Sequence, residues 1–288
     1  MGMGDLCLLC VHAHPDDEAL FTGGVLARYA GEGVRASVVT CTGGERGRLV
    51  GPGTQRLDEL RDSLGILGCE PPRLLGYLDS GTRGAPGNDD PASFWRAPFD
   101  QAVGRMVAHI RELRPDVVVT YDAYGVYGHP DHIQAHRVAR AAVEAAEVAA
   151  LYPEAGPAWR PRKLYETAIH KSAIAGLNLM LAARGIPSPF GDIIDPERLP
   201  FGTPDHRVGA VVDVRPWLDR KRAAIRVHVG GLGPDSLLME LAEQGLAERA
   251  LGQEWFARVR ADVETPARED DLLTGLRESP VQGCHSGG

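Results

Sequence analysis

The 288-residue chain has no stretch of roughly 20 consecutive apolar residues, so no transmembrane helix is expected. Its N-terminus carries neither a basic region nor a long apolar core, which argues against a signal peptide and leaves the cytoplasm as the expected compartment. Cysteine is sparse and scattered: Cys7, Cys10, Cys41, Cys69 and Cys284 do not suggest a disulfide framework. Cys7 and Cys10 have the spacing of a redox or metal pair, but they lie in an apolar run of strand length. Residues three apart in a strand face opposite sides, so both read as core. Positive charge is also short. A formal net charge of −8 argues against nucleic acid or an anionic membrane as the main partner and leaves a neutral sugar open. No Gly-x-Gly-x-x-Gly follows the first apolar run, and Gly23-Gly24 falls inside the next helical stretch, so dinucleotide binding is not expected. There is no internal repeat and no low-complexity run.

What is present is an alternation of strands and helices. Residues 6–12 read as a strand, 19–32 as a helix and 35–41 as a second strand, a βαβ unit that calls for a parallel, right-handed crossover. The pattern continues with a helix at 55–67, a strand at 74–78, a helix at 99–113, a strand at 117–121 and a helix at 131–148. The expected fold is α/β: a Rossmann-like, mainly parallel sheet flanked by helices, with a smaller C-terminal extension. A Pro/Gly-rich connector at 153–161 is the best boundary. It separates a catalytic core at 1–152 from a part at 153–278 that completes the sheet and the substrate rim. Within that second part, 163–169 and 208–214 read as strands, and 173–184, 217–229 and 235–251 as helices. The small, polar 279–288 reads as a disordered tail.

Two motifs sit where a strand gives way to a helix, which is where open α/β sheets place their sites. The first is His12-Ala13-His14-Pro15-Asp16-Asp17-Glu18, and the second is Tyr127-Gly128-His129-Pro130-Asp131-His132. Asp16 and Asp17 can simply cap a helix. Two His-Pro-Asp turns at equivalent places in two βα units can instead converge. His14, Asp17 and His132 then form a His₂Asp set with a fourth position open, the pattern of catalytic rather than structural zinc. Such a set is not selective, and ferrous iron is an alternative in cells.

The two motifs, in this order and each after a strand, resemble those of the PIG-L/LmbE family of zinc-dependent N-deacetylases. The most similar branches are the N-acetylglucosaminyl-inositol deacetylases and mycothiol conjugate amidases of actinobacteria. The resemblance runs well over residues 8–145 and weakly beyond. It implies hydrolytic removal of an acetyl group from a small amino-sugar substrate, with one zinc ion on His14, Asp17 and His132 that acidifies a water. Asp16 is then the general base. His129 is an imidazolium, held by Asp131, that stabilises the oxyanion or protonates the leaving amine, and Tyr127 is a further donor. For His129 the alternatives are a fourth metal ligand or a helix cap, and for Tyr127 a packing residue. The resemblance also implies that Glu45, Arg56 and Asp79 face the substrate, where Arg56 alone reads as part of a solvated helix face and Asp79 as a turn former. His228 keeps a family spacing, but Gly230-Gly231 replaces the usual Ser/Thr-Gln, which favours a structural or solvent-facing histidine. The loop Asp122-Ala123-Tyr124-Gly125-Val126 departs from the expected Asp-Pro-Asn-Gly-Gly, which leaves a glycosylated natural product open as substrate.

The enzyme alternative is a mycothiol S-conjugate amidase. The alternative from another class is a metal- or nucleotide-binding module without catalysis, against which the retention of Asp16 beside the ligands argues. The oligomeric state is not legible.

Overall fold

The computed structural model describes residues 6–47, 55–188, 190–228, 248 and 251–277. Part of the glycine-rich loop after residue 47, Gly230-Gly231, most of the helix expected at 235–251, and the 279–288 tail with Cys284 lie outside the described residues.

The elements follow the expected alternation: β1 (Cys7–His12), α1 (Asp17–Phe21), α2 (Gly23–Gly31), β2 (Arg35–Thr42), α3 (Gln55–Leu67), β3 (Arg73–Tyr77), α4 (Phe99–Leu113), β4 (Val117–Thr120), a short turn α5 (Gly125–Gly128), α6 (Pro130–Ala146), β5 (Lys163–Ala168), α7 (Lys171–Ala182), β6 (Ala210–Asp213), α8 (Leu218–Val227) and β7 (Gln253–Ala261). One seven-stranded sheet has the order β3-β2-β1-β4-β5-β7-β6. The five strands from β3 to β5 pair in parallel, and β7 runs antiparallel to both β5 and β6. The chain is thus the expected mainly parallel α/β sheet. From β1 it steps outward to β2 and β3, then returns to place β4 on the other side of β1. That reversal opens a crevice at the carboxyl ends of β1 and β4.

Both faces of the sheet are covered. Leu8, Cys10, Val38, Val117 and Val119 pack on one side with Leu26 of α2 and Leu60 of α3; Leu9, Val11, Val39, Cys41 and Val118 pack on the other with Met106 of α4 and Val138 of α6. Strands buried on both faces read as continuous apolar runs, as β1 and β4 do. Cys10 belongs to the first face and Cys7 is fully buried, as strand alternation requires.

The helix expected at 19–32 breaks at Thr22, which separates α1 from α2. The Thr22 hydroxyl donates back to the Glu18 carbonyl at 3.1 Å and also meets His12 Nε2 at 2.8 Å. Two glycines of low helix propensity follow. Their reason is contact: a Cβ on Gly24 would lie 2.4 Å from the Cβ of Val214. The new helix start is capped from far away, because the Glu254 carboxylate of β7 accepts from Gly24 N at 2.7 Å and Val25 N at 2.9 Å and pairs with Lys221 Nζ at 2.7 Å. β7 itself is absent from the sequence reading. Among the described residues no helix is long and apolar enough to cross a membrane.

Candidate metal and catalytic site

The loop after β1 and the start of α6 after β4 meet in the crevice. His14 Nδ1 lies 3.3 Å from Asp17 Oδ2 and 3.2 Å from His132 Nε2, and that nitrogen lies 3.4 Å from Asp17 Oδ2. All three side chains are buried. Ligand atoms placed tetrahedrally about 2.0–2.1 Å from a zinc-sized ion stand about 3.3–3.4 Å apart, so this near-equilateral triangle fits one divalent ion.

The surroundings prepare the donors. His14 Nε2 donates to Asp131 Oδ2 at 3.3 Å and faces Asp79 Oδ1 at 3.6 Å, which leaves the Nδ1 lone pair toward the triangle. Asp131 Oδ2 also accepts from Ser80 N at 2.8 Å. Asp17 Oδ2 accepts from His14 N at 2.9 Å and from the Tyr121 hydroxyl at 2.7 Å. That hydroxyl accepts in turn from Ala13 N at 2.8 Å, while the Tyr121 ring stacks on His132 with centroids 4.3 Å apart and planes 11° off parallel. Burial raises the Asp17 carboxyl, but the His132 and His14 imidazoles outweigh it and hold the group well below the usual carboxylate range.

Other buried donors also gather around His14. His14, His129 and His132, and likewise His14, Asp79, His129 and Asp131, each bring one donor atom per residue within 4.8 Å of one another. Within the His14–Asp17–His132 triangle no two donor atoms lie more than 3.4 Å apart. One nitrogen of His129 is already used, since His129 is the N-cap of α6 and its Nδ1 accepts from Asp131 N at 3.2 Å.

That bond corrects one expectation. The carboxylate of Asp131 turns to His14, not to His129. Burial, with repulsion from His14 and His132, pushes the His129 imidazole down to about 3. With Nδ1 accepting from Asp131 N, the proton of the uncharged ring sits on Nε2, its remaining donor. The Tyr127 ring stands 6.0 Å from that of His129 and 5.1 Å from that of His132, and its hydroxyl has no hydrogen-bond partner among the described residues.

Asp16 occupies a strained backbone position, with φ 107° and ψ −31°. Such a conformation costs an aspartate on the order of 1–3 kcal/mol and persists only where the surroundings over-determine it. Asp16 Oδ2 accepts from Arg56 at 2.9 Å, and the same guanidinium donates to the carbonyls of Pro15 and Gly44. Burial and the neighbouring Asp17 raise the Asp16 carboxyl to about 7 in spite of Arg56. Arg56, expected against the substrate, is thus buried and engaged with the Asp16 turn. Glu45 and Asp79 brace the rim: Glu45 Oε2 accepts from Asp79 N at 2.9 Å, and Asp79 Oδ1 accepts from Gly81 N at 2.7 Å. His228 is buried rather than solvent-facing, with Nε2 2.6 Å from Glu18 Oε1.

The PIG-L family profile, described as GlcNAc-PI de-N-acetylase, matches residues 9–143, which span both motifs. The 1D-myo-inositol 2-acetamido-2-deoxy-alpha-D-glucopyranoside deacetylase of Geodermatophilus obscurus is 44% identical over 287 residues, covering 93% of this chain and 97% of that protein. The chain belongs to the PIG-L family. A protein of the same name from Rhodococcus jostii is 42% identical, with 95% of this chain and 99% of that one covered. Among solved structures, the N,N'-diacetylchitobiose deacetylase of Pyrococcus horikoshii superposes with a TM-score of 0.61 at 19% identity, covering 88% of this chain and 84% of that one. This shared architecture places the present PIG-L chain in the same fold.

Sequence reasoning gave no role to four residues that shape the site, Tyr121, His12, Glu18 and Ser63, and weighed His228 only as a structural or solvent-facing histidine. A tyrosine and a histidine closing two apolar strands were the available signals for Tyr121 and His12. Glu18 closes the first motif, and nothing local marks Ser63.

Proposed function

We propose that this chain is a metal-dependent deacetylase that hydrolyses the acetamide of an N-acetylglucosaminyl-inositol type of amino sugar. The observation that carries the reading is the triangle of His14, Asp17 and His132 with the carboxylate of Asp16 on the same turn. Metal binding alone has no need of that second acid, whereas amide hydrolysis needs a base. The relatives' name supplies the substrate class.

His14, Asp17 and His132 would hold the ion, zinc by the donor set with ferrous iron as the alternative. When bound, it supplies a Lewis acid that acidifies water and polarises the acetyl carbonyl. Asp16 takes the proton of the attacking water, and its burial, which raises the carboxyl, strengthens it as a base. His129 presents Nε2–H to the oxygen on which charge develops, and the free hydroxyl of Tyr127 is the second donor there. Once protonated, Asp16 returns its proton to the departing amine. Asp131 fixes the His14 ring. Arg56 acts through the Asp16 turn, and Glu45 and Asp79 shape the rim that receives the sugar.

The experiment is to incubate zinc-loaded protein with N-acetylglucosaminyl-inositol and, separately, with a mycothiol S-conjugate, and to measure free acetate and free amine. Acetate from the first substrate is expected. Cleavage of the conjugate alone would turn the reading to the amidase, and no cleavage of either would end it.

A further inference from the structure

We infer that Glu18, Ser63 and His228 are positioning residues that hold Asp16 in its working geometry, an inference that rests on Asp16 being the base. Asp16 has a backbone conformation that an L-residue other than glycine rarely adopts unaided. Its peptide N–H donates to Glu18 Oε2 at 3.0 Å. The other oxygen of that carboxylate, Oε1, accepts from Ser63 Oγ at 2.5 Å and lies 2.6 Å from His228 Nε2. All three side chains are buried. Ser63 comes from α3, and His228 ends α8, 210 residues from Glu18 in sequence.

A carboxylate with one oxygen on the strained peptide and the other gripped by two separate elements cannot swing away. Burying such a group is costly unless every partner is in place, so packing alone gives no reason for it here. The ligand Asp17 is held by different groups, the Tyr121 hydroxyl and His14 N–H. Disturbing Ser63 or His228 should therefore move Asp16 and spare the donor triangle, separating turnover from metal content.

The test uses full-length, zinc-loaded His228→Leu, His228→Gln, Ser63→Ala and Asp16→Asn, with zinc content, kcat and KM measured on N-acetylglucosaminyl-inositol. His228→Leu is expected to lower kcat about tenfold or more, with KM and zinc content near wild type. His228→Gln, whose amide can still donate to Glu18, should recover much of that loss. In an Asp16→Asn background, His228→Leu should add little, because the two act as one unit. A crystal structure of His228→Leu should show Asp16 out of its positive φ. Should His228→Leu fail to fold, Ser63→Ala carries the same expectation at about a few-fold in kcat.

Folded His228→Leu or Ser63→Ala with wild-type kcat and an unmoved Asp16 overturns the inference. So does a loss of activity that merely tracks lost zinc. If Asp16→Asn abolishes turnover while the His228 and Ser63 variants stay fully active, only the positioning role fails. If Asp16→Asn keeps wild-type kcat, the base assignment fails and takes the inference with it.

Discussion

Replacing Tyr121 by phenylalanine removes one oxygen from the middle of the site and leaves the ring stacked on His132. Three contacts go with it: the acceptor for Ala13 N at 2.8 Å, the donor to Asp17 Oδ2 at 2.7 Å and the meeting with His12 Nδ1 at 3.3 Å. The Ala13 N–H is then buried without a partner, which costs about 1–3 kcal/mol of stability before any metal binds. Asp17 Oδ2 keeps only the His14 N–H at 2.9 Å, so a ligand held from two sides is held from one. Loss of such an outer partner typically weakens metal binding about 10–100-fold, or about 1.4–2.8 kcal/mol. Tyr121→Phe should therefore lower zinc affinity in a chelator competition and lower the Tm of the chelated protein. In a chain of this size about 1 kcal/mol moves Tm by about 2–4 °C. A Tyr121→Phe protein with zinc affinity within about twofold of wild type would refute the view that this hydroxyl organises the ligand.

Asp17→Asn should lose zinc and activity together, while Asp16→Asn should keep zinc and lose about 10²–10⁴ in kcat; parallel metal analysis and kinetics check both. A base must be deprotonated to act, and burial with Asp17 raises the Asp16 carboxyl to about 7 before a cation lowers it. Wild-type kcat should thus fall on the acid side as Asp16 takes up a proton, and a pH–rate profile of Asp16→Asn should lack that limb. Val126, a β-branched residue at φ 65° and ψ −63°, sits in a strained turn. Val126→Gly should stabilise the protein by about 0.5–2 kcal/mol, the strain relieved less the entropy of glycine, and a lowered Tm in thermal unfolding would contradict the strain. Gly24→Ala should destabilise by about 1–3 kcal/mol, because its new Cβ meets Val214, and an unchanged Tm would show that contact to be soft.

The parts of this protein that were legible in the sequence are those written in consecutive residues. The strand-to-helix turns around His14 and His132 could be read because apolar runs of strand length precede them and helical spacing follows. Their convergence follows from parallel β1 and β4 being neighbours. Other features depend on residues far apart. Tyr121 is one residue past a strand, and only the register of β4 against β1 brings its hydroxyl under Ala13 and Asp17. Arg56, Glu45 and Asp79 lie near the site as expected, but their bonds to main-chain groups could not be read from residue type. The exchange of Asp131 from His129 to His14 turns on a side-chain rotation that spacing does not encode. β7 escaped because its charged residues interrupt the apolar pattern, and its inward Glu254 serves a helix end at the other extremity of the chain.

Glu254 and His228 also bear on the order in which the enzyme comes into being. A ribosome releases His14, Asp17 and His132 well before either residue. The start of α2 waits for a cap 230 positions downstream of Gly24, and the Asp16 turn waits for a histidine 210 positions beyond Glu18. Contacts of such separation close late, because the loop entropy must be met before they reward it. The donors proposed for the metal thus leave the ribosome early, whereas the distant partners of the Asp16 turn and of α2 are synthesised late.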